Sequence, residues 1–250
     1  MTSLETRIFA TPTDIFQAAA EEFARLASDA VRKDGRFSIV LSGGSTPKGL
    51  YDLLASGVVP GIPWDRICFF WGDERHVPPD HPDSNYRMAK ESLLSKVPVR
   101  LENVFRIHAE EKDAEVTAKN YEQEIRTFFY LAQSDFPSFD LSLLGLGPDG
   151  HTASLFPGTS ALQEQNRLVV ANWVEKFKTH RITLTLPVLN HSRVVLFLVS
   201  GEEKAAALKQ IFNREGDNLP AKLVHPDGKL LWFVDEAAAI GLPLGEGRKS

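Results

Sequence analysis

Short runs of consecutive apolar residues alternate along the chain with stretches in which apolar residues recur every three or four positions. Phe16, Ala19, Phe23, Leu26, Ala27 and Ala30 share one helical face, which predicts an amphipathic helix over about residues 13–33, stopped by Gly35. Phe37 to Leu41 then reads as a short buried strand. A helix follows from near Pro47, with Leu50, Leu53 and Leu54 on one side. Ile67 to Trp71 predicts a second buried strand. After a loop rich in Pro and Asp, Ser84 is placed to cap a helix running through Leu94. Val104 to Ile107 reads as a strand, and about residues 113–132 as a long helix carrying Val116, Tyr121, Ile125, Phe128 and Phe129.

The second half continues the alternation. Leu141 to Leu146 and Val194 to Val199 predict central strands, and a helix follows the latter from about Glu202 to Phe212. Leu168 to Ala171 predicts a further strand. In Ile182 to Leu186 threonine alternates with apolar residues, as in a half-buried strand. Leu230 to Val234 ends the sheet. Apolar strands alternating with helices imply an α/β fold: a mostly parallel sheet with helices on both faces. No composition break long enough for a linker interrupts the 250 residues. One domain over 1–250 is expected, with a loose tail from about 241.

Composition narrows the function. Lys and Arg number 28 and Asp and Glu 33, a formal net charge of −5, which argues against a general nucleic-acid binder. It leaves room for a small anionic ligand, because the field in a pocket is local. With Cys68 the only cysteine, neither an intrachain disulfide nor a cysteine-based zinc site is available. His76, His81, His108, His180, His191 and His225 show no metal-ligand spacing, so no metal is assigned. No apolar stretch approaches the ~18 residues of a membrane span, and the N-terminus lacks a signal-peptide core. A cytoplasmic protein is the expectation.

Four predicted strands end in polar sequence: Ser42-Gly43-Gly44-Ser45-Thr46-Pro47, Gly72-Asp73-Glu74-Arg75-His76, Gly147-Pro148-Asp149-Gly150-His151-Thr152 and Ser200-Gly201-Glu202-Glu203-Lys204. In an open parallel sheet the carboxyl ends of strands lie along one edge, where ligands bind, so these scattered segments are expected to converge. The first suits an anion: two glycines admit a close backbone approach, Pro47 fits the first helical position, and free amides and helix dipole point into the loop. Alone, it is equally a capped turn without a ligand. His151 follows a tight turn near an expected helix start, which would hold its ring neutral and able to accept a proton, with Asp149 beside it. Arg75 suits an anionic substrate or a developing oxyanion. Arg181 precedes a strand and Lys204 lies in a first helical turn, where a bound anion would offset the unfavourable dipole. There is no Gly-x-Ser-x-Gly nucleophile elbow.

Together these segments resemble the 6-phosphogluconolactonase family. The matching stretches are Leu41 to Pro47, Trp71 to Arg75, Asp83 to Arg87, Leu144 to Pro157 and Arg181 to Pro187, in order over nearly the whole chain. The resemblance implies a Rossmann-like fold shared with glucosamine-6-phosphate deaminases and ribose-5-phosphate isomerases. It also implies hydrolysis of 6-phospho-D-glucono-1,5-lactone in the oxidative pentose phosphate pathway. The related deaminases carry a glutamate five positions after the histidine, where this chain has Phe156, and a tyrosine after the acidic pair, where it has Arg75. Both departures favour the lactonase.

On that resemblance His151 is expected to be the general base, Asp149 to position it, and Arg75 to stabilise the oxyanion. Gly43, Gly44, Ser45, Thr46, Asp73, Arg181 and Lys204 are expected to bind substrate, with the phosphate on the glycine amides. No cofactor is required. The expected partner is a phosphorylated sugar lactone, with neither nucleic acid nor membrane, and the chain is expected to be a monomer or weak homo-oligomer. The alternatives are a deaminase-like aldose–ketose isomerase and a non-catalytic sugar-phosphate-binding regulator.

Overall fold

The computed structural model describes residues 3–213 and 218–242. The expected loose tail therefore falls, from residue 243, outside the described residues. The strands are β1 (Ser3–Phe9), β2 (Phe37–Leu41), β3 (Ile67–Trp71), β4 (Asp73–Arg75), β5 (Leu141–Leu144), β6 (Val169–Val174), β7 (Thr179–Leu184), β8 (Val194–Val199) and β9 (Lys229–Asp235). The α-helices are α1 (Pro12–Asp34), α2 (Ser45–Ala55), α3 (Asn85–Ala89), α4 (Ala114–Phe129), α5 (Leu186–Asn190) and α6 (Ala205–Phe212). Six strands form one sheet in the order β1-β9-β8-β5-β2-β3, every pair parallel. Three more form a second, antiparallel sheet in the order β4-β7-β6.

The large sheet follows from its apolar runs. Every residue of β2, β3, β5 and β8 is buried. Successive side chains point to opposite faces, so both faces are covered. Phe70 of β3 anchors an aromatic cluster, stacked on Phe105 at 4.6 Å and edge-on to Phe128 and Phe139. Helix α1 begins as its sequence dictates. The Thr11 side chain accepts from the Asp14 amide, the Asp14 carboxylate accepts from the Thr11 amide, and Pro12 takes the first helical position. Gly35, at φ 74°, ends it.

Three expectations give way. Strand β1 goes unread in the sequence because, as a sheet edge, it mixes polar and apolar residues; it pairs with β9, the last strand in the chain, and takes the edge position beside it. Val104 to Ile107 makes only a single bridge to Phe69, and its apolar character reflects the packing of Phe105 on Phe70. The charged segment Asp73 to Arg75, read as a loop, is strand β4. It pairs with Thr183, Ile182 and Arg181 of β7.

Strand order then creates a crevice. From β2 the chain moves to β3 on one side, and from β5 it moves to β8 on the other, although β2 and β5 are neighbours. Their carboxyl-terminal loops diverge, and that is the point where an open α/β sheet binds ligands. Gly72 joins the two sheets there: its amide donates to Leu41 O (2.9 Å) and its carbonyl accepts from Leu184 N (2.8 Å).

Candidate active site

Two buried tyrosines fix the ends of the crevice strands. The Tyr51 hydroxyl accepts from Ser42 N (3.0 Å) and donates to Ser42 O (2.9 Å). Tyr121 does the same for Trp71, at 2.8 and 3.1 Å. Burial pushes both phenols well up, so they stay neutral donors. Beyond Ser42, a Cβ at Gly43 would stand 2.0 Å from Asn85 Oδ1, so only glycine admits that asparagine. Gly44, at φ 103°, caps α2 with no side-chain hydrogen bond, which leaves the first amides of the helix open to an anion. Pro47 is the third helical residue, not the first as expected; its missing N–H is still one that lacks a helical partner.

The loop after β5 folds back on itself. Gly147 N donates to His151 O (2.8 Å) and Gly150 N to Gly147 O (3.0 Å). This brings the Asp149 carboxylate to His151 Nδ1, and to the His151 amide at 3.3 Å. An acceptor at Nδ1 places the ring proton there and leaves the Nε2 lone pair free. Burial raises the Asp149 carboxyl, but the hydrogen bonds and charge of His151 outweigh it, and the carboxyl lies below its ordinary range. The helix start expected beside His151 is not there. Thr152 to Leu155 form a tight turn, with Ala153 at φ 48° and Ser154 Oγ committed to Asp73. Asp149, not a helix dipole, governs the imidazole.

The small sheet supplies the charges. Asp73 is buried and accepts from Ser154 Oγ (2.6 Å) and Asn85 Nδ2 (3.3 Å). Glu74, also buried, accepts from the amides of Arg75 (2.8 Å), Asn85 (2.7 Å) and Tyr86 (2.8 Å) and from Ser84 Oγ (3.0 Å). Burial pushes its carboxyl up against those four bonds. Arg75 stands directly opposite Arg181 in the ladder, and the Nε of each is buried without an acceptor among the described residues. Like charges across a sheet are unfavourable. Burial, then the charge of Arg75, draws the Arg181 guanidinium below its usual range. Lys204 ends a 3-10 turn leading into α6; the Asp235 carboxylate fixes that turn through Ser200 Oγ (2.6 Å) and Gly201 N (3.1 Å).

A cavity of about 210 Å³ brings most of the predicted residues together: the loop from Gly43 to Thr46, Asp73, Arg75, His151 and Lys204. His151 is half-buried, its side chain 26% exposed, rather than sealed in the interior. Arg181 is not among the lining residues; it lies beside Arg75 with its guanidinium over Phe177 at 5.1 Å. Asp149 lies behind His151 and lines a second cavity. Asn85 and Ser200 also line the first cavity; both fall in segments quoted from the sequence, but neither was named there as a site residue. Asn85 had a signal, as the residue after the helix-capping Ser84. Among the described residues no three His, Cys, Asp or Glu side chains are grouped to hold a metal ion, and no helix is long and apolar enough to cross a membrane.

The model of the family described as glucosamine-6-phosphate isomerases/6-phosphogluconolactonase matches residues 10–232. The chain belongs to this family. It is 46% identical over 215 residues to the 6-phosphogluconolactonase of Nostoc sp., covering 85% of this chain and 88% of that one. To the human 6-phosphogluconolactonase it is 41% identical over 239 residues, covering 93% and 91%. The 6-phosphogluconolactonase of Trypanosoma cruzi superposes with a TM-score of 0.85 at 30% identity, over 97% of this chain and 98% of that one. The matched range runs from just before α1 into β9 and leaves out only β1 among the strands.

Proposed function

We propose that this protein is a 6-phosphogluconolactonase, hydrolysing 6-phospho-D-glucono-1,5-lactone to 6-phospho-D-gluconate. The observation that carries the reading is one crevice holding an Asp149-oriented imidazole together with open helix amides and a lysine. A lactone is an ester. Its hydrolysis needs an activated water and a place for the oxyanion.

The substrate phosphate rests on the open amides at the start of α2, with Ser45, Thr46 and Lys204 around it. That anchor orients the reacting carbonyl. Water attacks C1 as His151 Nε2 takes its proton. The carbonyl electrons move to oxygen, where Arg75 stabilises the charge. The intermediate collapses, the bond from C1 to the ring oxygen breaks, and His151 returns the proton to that oxygen. The water oxygen stays in the new carboxyl group. Asp73 stays committed to Ser154 and Asn85 and shapes the wall, and Arg181 adds positive potential behind Arg75. The protein acts as a single cytoplasmic domain, monomeric or weakly associated, without nucleic acid.

Two substrates test the reading. Acid release from the phospholactone above its spontaneous hydrolysis is expected, with no ammonia from glucosamine 6-phosphate. Ammonia release would replace the lactonase by a deaminase, and binding of both without turnover would make the protein a sugar-phosphate sensor.

A further inference from the structure

We infer that Phe156 is a positioning residue for the general base, holding the His151 ring in the one plane from which it can serve an attacking water; this rests on the lactonase reading. The hydrogen bond to Asp149 fixes one ring atom, Nδ1, and leaves the imidazole free to swing about that bond. Two further surfaces remove the freedom. The backbone at Gly147 presses against the ring so closely that a Cβ there would stand 1.9 Å from Nδ1 and 2.1 Å from Cε1. The Phe156 ring stacks on the imidazole, with centroids 4.2 Å apart and planes 25° from parallel.

Phe156 is itself held. It is 7% exposed, Phe177 meets its ring edge-on at 5.9 Å, and its carbonyl accepts from Thr159 N (3.2 Å) and Thr159 Oγ1 (2.9 Å). A stack set on a fixed residue costs little entropy to maintain. It also acts in the transition state. When His151 takes the proton of water it becomes a cation over the negative face of an aromatic ring, which lowers the energy of that charged form. The contribution therefore falls on kcat rather than on substrate binding. Phe156 faces the second cavity as well as the ring, so it separates the base from that space.

The test replaces the ring but keeps its bulk. Phe156→Met is expected to lower kcat by about tenfold or more while KM stays within about twofold. Phe156→Tyr, which keeps the stacking face, is expected to stay close to the parent. With Asp149→Asn the loss is expected to be less than multiplicative, because both residues act through one imidazole. A readout without substrate uses NMR relaxation of the His151 ring: the parent shows one ordered ring orientation, with the Nδ1–H tautomer that Asp149 sets, and Phe156→Met a ring exchanging between orientations. Unchanged kcat and ring spectra in Phe156→Met, equal losses in the Met and Tyr variants, or full multiplicativity with Asp149→Asn would each overturn the inference. A ring already exchanging between orientations in the parent would do so even if no variant folded. Absence of lactonase activity in the parent counts against the proposed function alone, since the ring spectra stand apart from it.

Discussion

The two sheets solve opposite problems. In the six-stranded sheet, stability and chain pattern coincide: strands such as β2 and β8 are continuous apolar runs, buried on both faces. In the three-stranded sheet, β4 is three charged residues, two of them buried, kept in place by hydrogen bonds rather than by apolar contact. Glu74 alone accepts four such bonds. The large sheet builds a rigid edge; the small one places charge against it. Buried charge is costly and persists where its partners are complete. The Arg75–Arg181 pair, whose Nε donors lack acceptors among the described residues, is the exception.

Paired substitutions break this contrast most sharply. Phe37→Ala, fully buried at the end of β2 away from the crevice, should destabilise by about 3–5 kcal/mol and leave the kcat of the folded enzyme unchanged. Glu74→Ala should cost roughly 3 kcal/mol through its orphaned amides. Unlike Phe37→Ala, it should also lower kcat/KM, because Arg75 and Asn85 lose their shared anchor. Denaturant unfolding beside steady-state kinetics separates the two; equal kinetic behaviour would erase the distinction between the sheets.

Smaller effects sharpen it. Lys204→Ala should raise KM by about tenfold or more, as the loss of a charged contact to phosphate. Arg181→Ala should raise it less, since Arg181 lies outside the cavity lining. The reverse ranking would move the phosphate toward the small sheet. The least effect belongs to Glu110, held by both Nη atoms of Arg106 (2.9 and 2.6 Å), which brings its carboxyl down to about 2. A lowered folded-state value contributes stability above the ordinary 4.5 that is lost as pH falls through about 2. Glu110→Gln should therefore lower Tm by ~1–3 °C at pH 7, with the difference vanishing near pH 2.

Legibility followed the same division. Apolar runs announced β2, β3, β5 and β8 within a residue or two, and Gly35 marked the end of α1. Asp73-Glu74-Arg75 carries no strand pattern, because its partner Thr183–Arg181 lies more than a hundred residues away and pairing is tertiary. The site was largely readable from one rule, that parallel strands end along a common edge. Its scaffolding was not. Tyr51, Tyr121 and Asp235 look like ordinary core or surface residues until their hydrogen bonds to Ser42, Trp71 and Gly201 are seen. The helix expected at His151 failed because a Gly-rich turn and an Asp149 bond, both local, did what a helix end was expected to do.

The convergence of loops from both sheets on one base is tested most directly by His151→Ala, assayed for phospholactone turnover and, by calorimetry, for 6-phosphogluconate binding. Turnover should fall by ~10²–10⁴ with product affinity held within a few-fold. A folded variant that turns over near the parent rate, or that loses product affinity as steeply as activity, contradicts the account.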